Sequence, residues 1–161
     1  MATFEESIRT AGYLAWAHGQ ETAALELARK GTDPACLALL IDLFELSKDE
    51  NIRATSAEWL GRNWLEQSGV VETLSHQLRS LSGPERLAIV RVLSRKPELL
   101  NRHRWQELLL RDPAPLIRRV VCHALGKLGE LEMLVEHGLT DPVWRVRNVA
   151  MSALLGAPAF D

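Results

Sequence analysis

No stretch of this sequence holds enough consecutive apolar residues to cross a bilayer, which takes roughly 20. Cysteine is scarce. Cys36 and Cys122 stand far apart, and neither belongs to a CxxC or Cys/His zinc spacing. Both sit among Leu, Val and Ala, where a thiol reads as a small buried hydrophobe. The histidines at 18, 76, 103, 123 and 137 lack metal-ligand spacing, so no metal and no cofactor is expected. A nucleophile elbow, a phosphate loop and a paired-acid motif are all missing, and the chain reads as non-enzymatic. The start, "MATFEESIRTAG", has no basic segment leading into an apolar one, so the expected location is the cytoplasm. No stretch alternates in the manner of a strand.

Charge of one sign is also lacking overall, since the net charge is −2. That balance hides an asymmetry. Residues 1–78 carry 6 Lys+Arg against 12 Asp+Glu, and residues 79–161 carry 13 against 9. The basic excess concentrates in 79–119, with ten cations and four acids. This could orient a charged partner, but it falls short of a dedicated nucleic-acid binder, and nucleic acid is not the expected partner.

What the sequence has is a repeat. "DPAPLIRRVVCHALG" at 112–126 returns as "DPVWRVRNVAMSALL" at 141–155, 29 residues later. The arginine of the Ile/Val-Arg pair recurs as Arg53, Arg86, Arg118 and Arg147, each seven residues before a leucine. Around Arg118 the apolar positions are Ile117, Val120, Val121, Ala124 and Leu125, which form one stripe of a 3.6-residue helix. Around Arg147 they are Val146, Val149, Ala150, Ala153 and Leu154. The copy at Arg86 is interrupted by Glu85, and the copy at Arg53 by Thr55 and Ser56. Asp112-Pro113 and Asp141-Pro142 read as a capping side chain before a first-turn proline. A second helix precedes each anchored one. These carry Leu37, Leu40, Ile41 and Phe44; Val71, Leu74 and Leu78; Trp105, Leu108 and Leu109; and Leu131, Leu134 and Val135.

Neither helix of such a pair buries its stripe alone, so the pairs must stack. The expectation is one all-α domain over 1–161. It has N-terminal capping helices in 1–31, from "FEESIRTAGYLAWA" and "ETAALELARK". Helix pairs follow in 32–66, 67–96, 97–128 and 129–157.

The Asp-Pro turn, the Val/Ile-Arg pair and the small residue before Leu-Gly, at this spacing, resemble HEAT-like repeats. The nearest variety is the short one of phycobiliprotein lyase subunits. The match is good over 112–156, fair over 33–66, weak over 83–111 and absent over 1–31. The resemblance implies an α-α superhelix whose Val/Ile-Arg helices line a concave side. It also implies an arginine–aspartate ladder: Arg53, Arg86, Arg118 and Arg147 with Asp112 and Asp141, and Asp49 for the first copy. The family consists mostly of scaffolds and adaptors, so the expected function is to bind another protein. Accessory service to an enzyme or a cofactor-attachment system is the alternative, as is nucleic-acid binding through 79–119. Some bacterial alkylpurine DNA glycosylases are HEAT-like too, but they are longer and more basic than this chain.

Opposite the stripe, one register places Glu58, Arg91 and His123. The next places Arg62, Arg95 and Lys127, and Arg119 and Asn148 complete the face. Such a row could hold an acidic protein surface. The competing reading for Arg62, Arg95 and Lys127 is that last-turn cations complement the helix dipole. Trp59 and Trp105 align with core positions, whereas Trp144 lies in a first turn beside Arg145, in the manner of a binding hot spot. Only "GAPAFD" follows the last helix. Its outer flank is therefore expected either to take Phe160 as a plug or to associate with a second copy or a partner.

Overall fold

Each segment with a helical apolar period forms a helix in the structure, a computed structural model that describes residues 4–79 and 82–156. The helices are α1 (Phe4–Ala17), α2 (Glu21–Lys30), α3 (Pro34–Leu46), α4 (Glu50–Asn63), α5 (Val70–His76) and α6 (Gly83–Leu93). They continue with α7 (Arg102–Arg111), α8 (Pro115–Leu128), α9 (Leu131–Met133) and α10 (Trp144–Leu154). A π-helical stretch, Leu134–Gly138, extends α9. No strand occurs among the described residues, so the fold is all-α. The chain divides into two compact units, Met1–Ile89 and Val90–Asp161, and the boundary falls inside α6.

In the first unit, α1 and α2 pack on α3, and α4 packs on α2 and α3. Leu39, Leu40, Leu43, Phe44 and Leu60 are buried there. Helix starts are set locally. Asp33 accepts the Cys36 N–H at 2.9 Å with Pro34 in the first turn, and Asp49 accepts the Asn51 N–H at 2.8 Å. At α6, Ser82-Gly83-Pro84-Glu85 forms half of a capping box, in which Glu85 accepts from the Ser82 N–H at 2.9 Å.

The second unit is built round α8. Helices α7 and α10 and the π-helical stretch all pack on it. Ile117, Val121, Cys122, Ala124 and Leu125 of α8 are buried, as are Trp105, Leu109, Leu134, Val146 and Ala150. The Trp105 indole N–H donates to the Pro97 carbonyl at 2.9 Å, which satisfies its one polar atom. Gly129 ends α8 in the left-handed region (φ +72°). There the Glu130 and Gly129 N–H groups reach back to Leu125 and Gly126, the bonding of a Schellman stop.

Three expectations are corrected here. Asp112 and Asp141 are not the capping residues. Helices α8 and α10 begin at Pro115 and Trp144, and each aspartate accepts the N–H two residues on, from Ala114 (2.9 Å) and Val143 (2.8 Å). They shape the turn before the helix. Leu131 and Val135 are not core: they are 51% and 50% exposed, while Met133 and Leu134 are buried. The π-helical stretch adds residues to the turn and rotates the inward face. That rotation brings Gly138 against Ala150, where a Cβ would lie 2.7 Å from the alanine methyl, so only glycine fits. The third concerns Trp59, which is half-buried rather than core.

Candidate functional site

Among the described residues, three of the four recurring arginines share one contact. Arg53, Arg118 and Arg147 each donate Nη1 to the carbonyl six residues earlier: Ser47 (2.5 Å), Asp112 (2.8 Å) and Asp141 (2.7 Å). The carbonyl belongs to the chain entering the helix, so the guanidinium ties helix to turn. Arg118 also reaches forward. Its Nε and Nη2 donate to the two carboxylate oxygens of Asp141 at 2.7 and 3.0 Å, a bidentate fork. Burial alone would push Asp141 up. The hydrogen bonds from Arg118 and the Val143 N–H outweigh it and hold the carboxyl below its ordinary range. Arg118 is raised by the Asp141 hydrogen bonds against the desolvation of its own burial. Cys122, beside this pair, is pushed up to about 12, by burial first and by the Asp141 charge second.

In the first unit the partner is different. Asp49 caps its own helix, and Arg53 donates Nε to Glu85. The residue that interrupts the apolar stripe is thus a buried carboxylate, 1% exposed. Burial would raise its pKa, but hydrogen bonds from Arg53 and Ser82 outweigh that and lower it. Sequence reasoning missed Glu85, although the S-x-x-E spacing of Ser82 and Glu85 was the available signal. For Arg147 no carboxylate follows among the described residues. Arg86 lies in the second turn of α6 and is half-buried.

The proposed binding row divides between the units. Glu58 and Arg62 lie on α4 in the first. Arg91, Arg95, Arg119, His123, Lys127, Trp144 and Asn148 lie in the second. There Lys127 Nζ donates to the Ser94 carbonyl at 3.0 Å, which brings the end of α8 to the end of α6 and sets Lys127 beside Arg95. Arg91, Arg95 and Lys127 are exposed, while His123 and Arg119 are half-buried one and two turns up α8. Among the described residues none of Arg91, Arg95, Arg119 and Lys127 pairs with a carboxylate. Arg119 has a buried Nε with no hydrogen-bond partner. The Lys127 contact also fits the dipole reading, since Ser94 stands just past the C-terminal end of α6.

On α10 the buried side is centred on Val146 and Ala150. The opposite side carries Trp144 (60% exposed), Asn148, Met151 (46%) and Leu155 (75%). These follow the i, i+4, i+7, i+11 spacing of one helix face. Arg145 lies 5.5 Å from the Trp144 ring centroid. Phe160 and the plug expected of it lie outside the described residues. No group of three His, Cys, Asp or Glu that could hold a metal ion occurs among the described residues, and no helix there is long and apolar enough to cross a membrane.

Compared with known proteins, the chain matches no protein-family model, no curated protein and no solved structure.

Proposed function

We infer that the chain is a HEAT-like helical-repeat scaffold that binds an acidic protein surface through the row on α8 and the end of α6. The observation that carries this reading is the Lys127–Ser94 contact. It brings the Lys127 ammonium to the end of α6, where Arg91 and Arg95 are exposed and pair with no carboxylate among the described residues, a local excess of positive charge that attracts carboxylates. The shared arginine-to-carbonyl contact supports the repeat reading, since equivalent positions make equivalent bonds in three copies. Reversing Arg91, Arg95 and Lys127 to Glu should abolish capture of the native partner and leave thermal unfolding nearly unchanged. Partner capture that survives the triple reversal sinks the reading. Binding to a generic DNA or RNA fragment that falls steeply with salt would instead favour the nucleic-acid alternative.

A second reading rests on the exposure of Trp144, Met151 and Leu155: α10 self-associates through its outer face. Sedimentation at low micromolar concentration should then show a dimer that Leu155→Glu converts to monomer. A wild-type protein that sediments strictly as a monomer removes this reading.

A further inference from the structure

Trp59 is the residue whose environment departs furthest from its expected role. It lies on α4 and is half-buried. Two guanidinium groups converge on its ring. Arg29, from α2, has its central carbon 5.6 Å from the ring centroid, and Arg62, one turn along α4, has its own at 5.3 Å. The first unit is otherwise acidic: residues 1–89 carry 8 Lys+Arg and 13 Asp+Glu.

The ring's negative face attracts each cation. The ring holds each guanidinium by its flat side's charge and takes none of its N–H donors, which stay available to an oxyanion. One cation has such a partner, since Arg29 is held by Glu26 at 2.8 Å. Arg62 has none: it is exposed, and among the described residues it meets only the Trp59 ring. Its guanidinium is thus held in place by an aromatic ring with its fork of donors unspent, a preorganised seat for a planar oxyanion. Dipole complementation at the end of α4 would account for a cation at position 62 but not for the arrival of Arg29 from another helix.

We propose that Arg29, Trp59 and Arg62 form a carboxylate-binding site, and that its ligand is a peptide presenting a single acidic group. The choice of anion follows from the surroundings. A net negative unit penalises every added negative charge, so a monoanion enters at least cost, and a phosphate dianion or an acidic run is disfavoured. Glu26 shows that a carboxylate reaches the Arg29 guanidinium at this ring, through one nitrogen. The exposed part of the indole offers an apolar surface for the residue next to the acid. This site belongs to the first unit and does not depend on the α8 row, so substitutions there leave it intact.

The test uses the full chain labelled with ¹⁵N, in which the Trp59 indole signal is identified by its loss in Trp59→Phe. The probes are acetyl-Gly-Glu-Gly-amide, its Gln counterpart and inorganic phosphate. The Glu peptide should shift the Trp59 indole and the Arg62 Nε–H signals to saturation in the millimolar range, and the Gln peptide should leave them in place. Arg62→Gln, at an exposed position that leaves the fold alone, should weaken the Glu peptide roughly ten-fold, the worth of one charge-assisted contact. Arg62→Lys should fall between, because it keeps the charge and loses the fork. Equal shifts from the Gln peptide overturn the proposal, as does an Arg62→Gln variant that binds like the wild type. Phosphate that moves the same signals at lower concentration than the Glu peptide overturns the assignment to a carboxylate.

Discussion

The two units solve one problem with different acids. In the second, Arg118 meets Asp141, which stands in the turn before α10 and is supplied 23 residues downstream. In the first, Arg53 meets Glu85, which stands inside the first turn of α6 and comes 32 residues downstream. Both arginines tie back to the carbonyl six residues earlier, and both end on a buried carboxylate. An aspartate reaches from just outside a helix, and a glutamate, one methylene longer, reaches from just inside it. What recurs is therefore a buried charge pair linking two helices, not a residue at a fixed spacing. An alignment on Asp-Pro sees one of these pairs and misses the other.

The pairs differ in how much support each acid keeps without its arginine, and this orders the expected losses. Asp141 would retain one hydrogen bond, from the Val143 N–H, and the more distant charge of Arg147, whereas Glu85 would retain two hydrogen bonds, from the N–H and the hydroxyl of Ser82. The Arg118 and Asp141 side chains are 10% and 4% exposed. Arg118→Ala should accordingly cost about 3–5 kcal/mol in urea unfolding, the penalty of a buried, uncompensated charge. Arg53 is more exposed, at 21%, and Arg53→Ala should cost about 2–3 kcal/mol. Equal losses, or the reverse order, would break the comparison.

Acid sharpens it. Asp141 and Glu85 both have folded-state pKa values below their unfolded ones. A depressed carboxyl contributes stability above its unfolded pKa, near 4, and loses it as the pH falls through the folded value. Stability should therefore decline on acidification below about pH 4. Asp141→Asn should flatten that decline for the second unit and leave the contribution of Glu85 in place. An acid limb of unchanged steepness in Asp141→Asn would mean that the Arg118–Asp141 pair contributes little.

The helices were legible because each carries a 3.6-residue stripe and local start and stop signals, such as Asp33-Pro34 for α3 and Gly129 after α8. The misreadings share a cause: information that is not in the repeat unit. Asp-Pro fits both a cap and the turn two residues ahead of one, and Pro115, in the first turn of α8, was the signal that decides between them. Leu131 and Val135 have helical spacing, but Leu131 opens α9 at its exposed start, and the π-helical stretch that carries Val135 outward has no signal in that spacing. Trp59 aligns with alanines, so it read as core. Arg29, whose guanidinium lies over the half-buried ring, comes from a helix outside the repeats. The cations of the α8 row were legible as residues, while the Lys127–Ser94 contact that brings Lys127 to the end of α6 depends on packing.

The smallest effect isolates the acid from the rest of the pair. Arg147 makes the same backward contact as Arg53 and Arg118, to the Asp141 carbonyl at 2.7 Å, with a second to Pro142 at 3.1 Å. It has no forward carboxylate among the described residues, and it is half-exposed. Removing it takes a favourable charge from Asp141 but leaves that carboxylate in its fork with Arg118, so no buried charge is stranded. Two carbonyls lose a donor at a position water can reach, and each such bond is worth little net. Arg147→Ala should thus cost about 1 kcal/mol in the same urea titration. The difference between Arg118→Ala and Arg147→Ala then measures what the buried acid adds to a contact that both arginines share. Should Arg147→Ala prove as costly as Arg118→Ala, the stabilisation would reside in the turn carbonyl, and the choice between aspartate and glutamate in the two units would carry no energetic meaning.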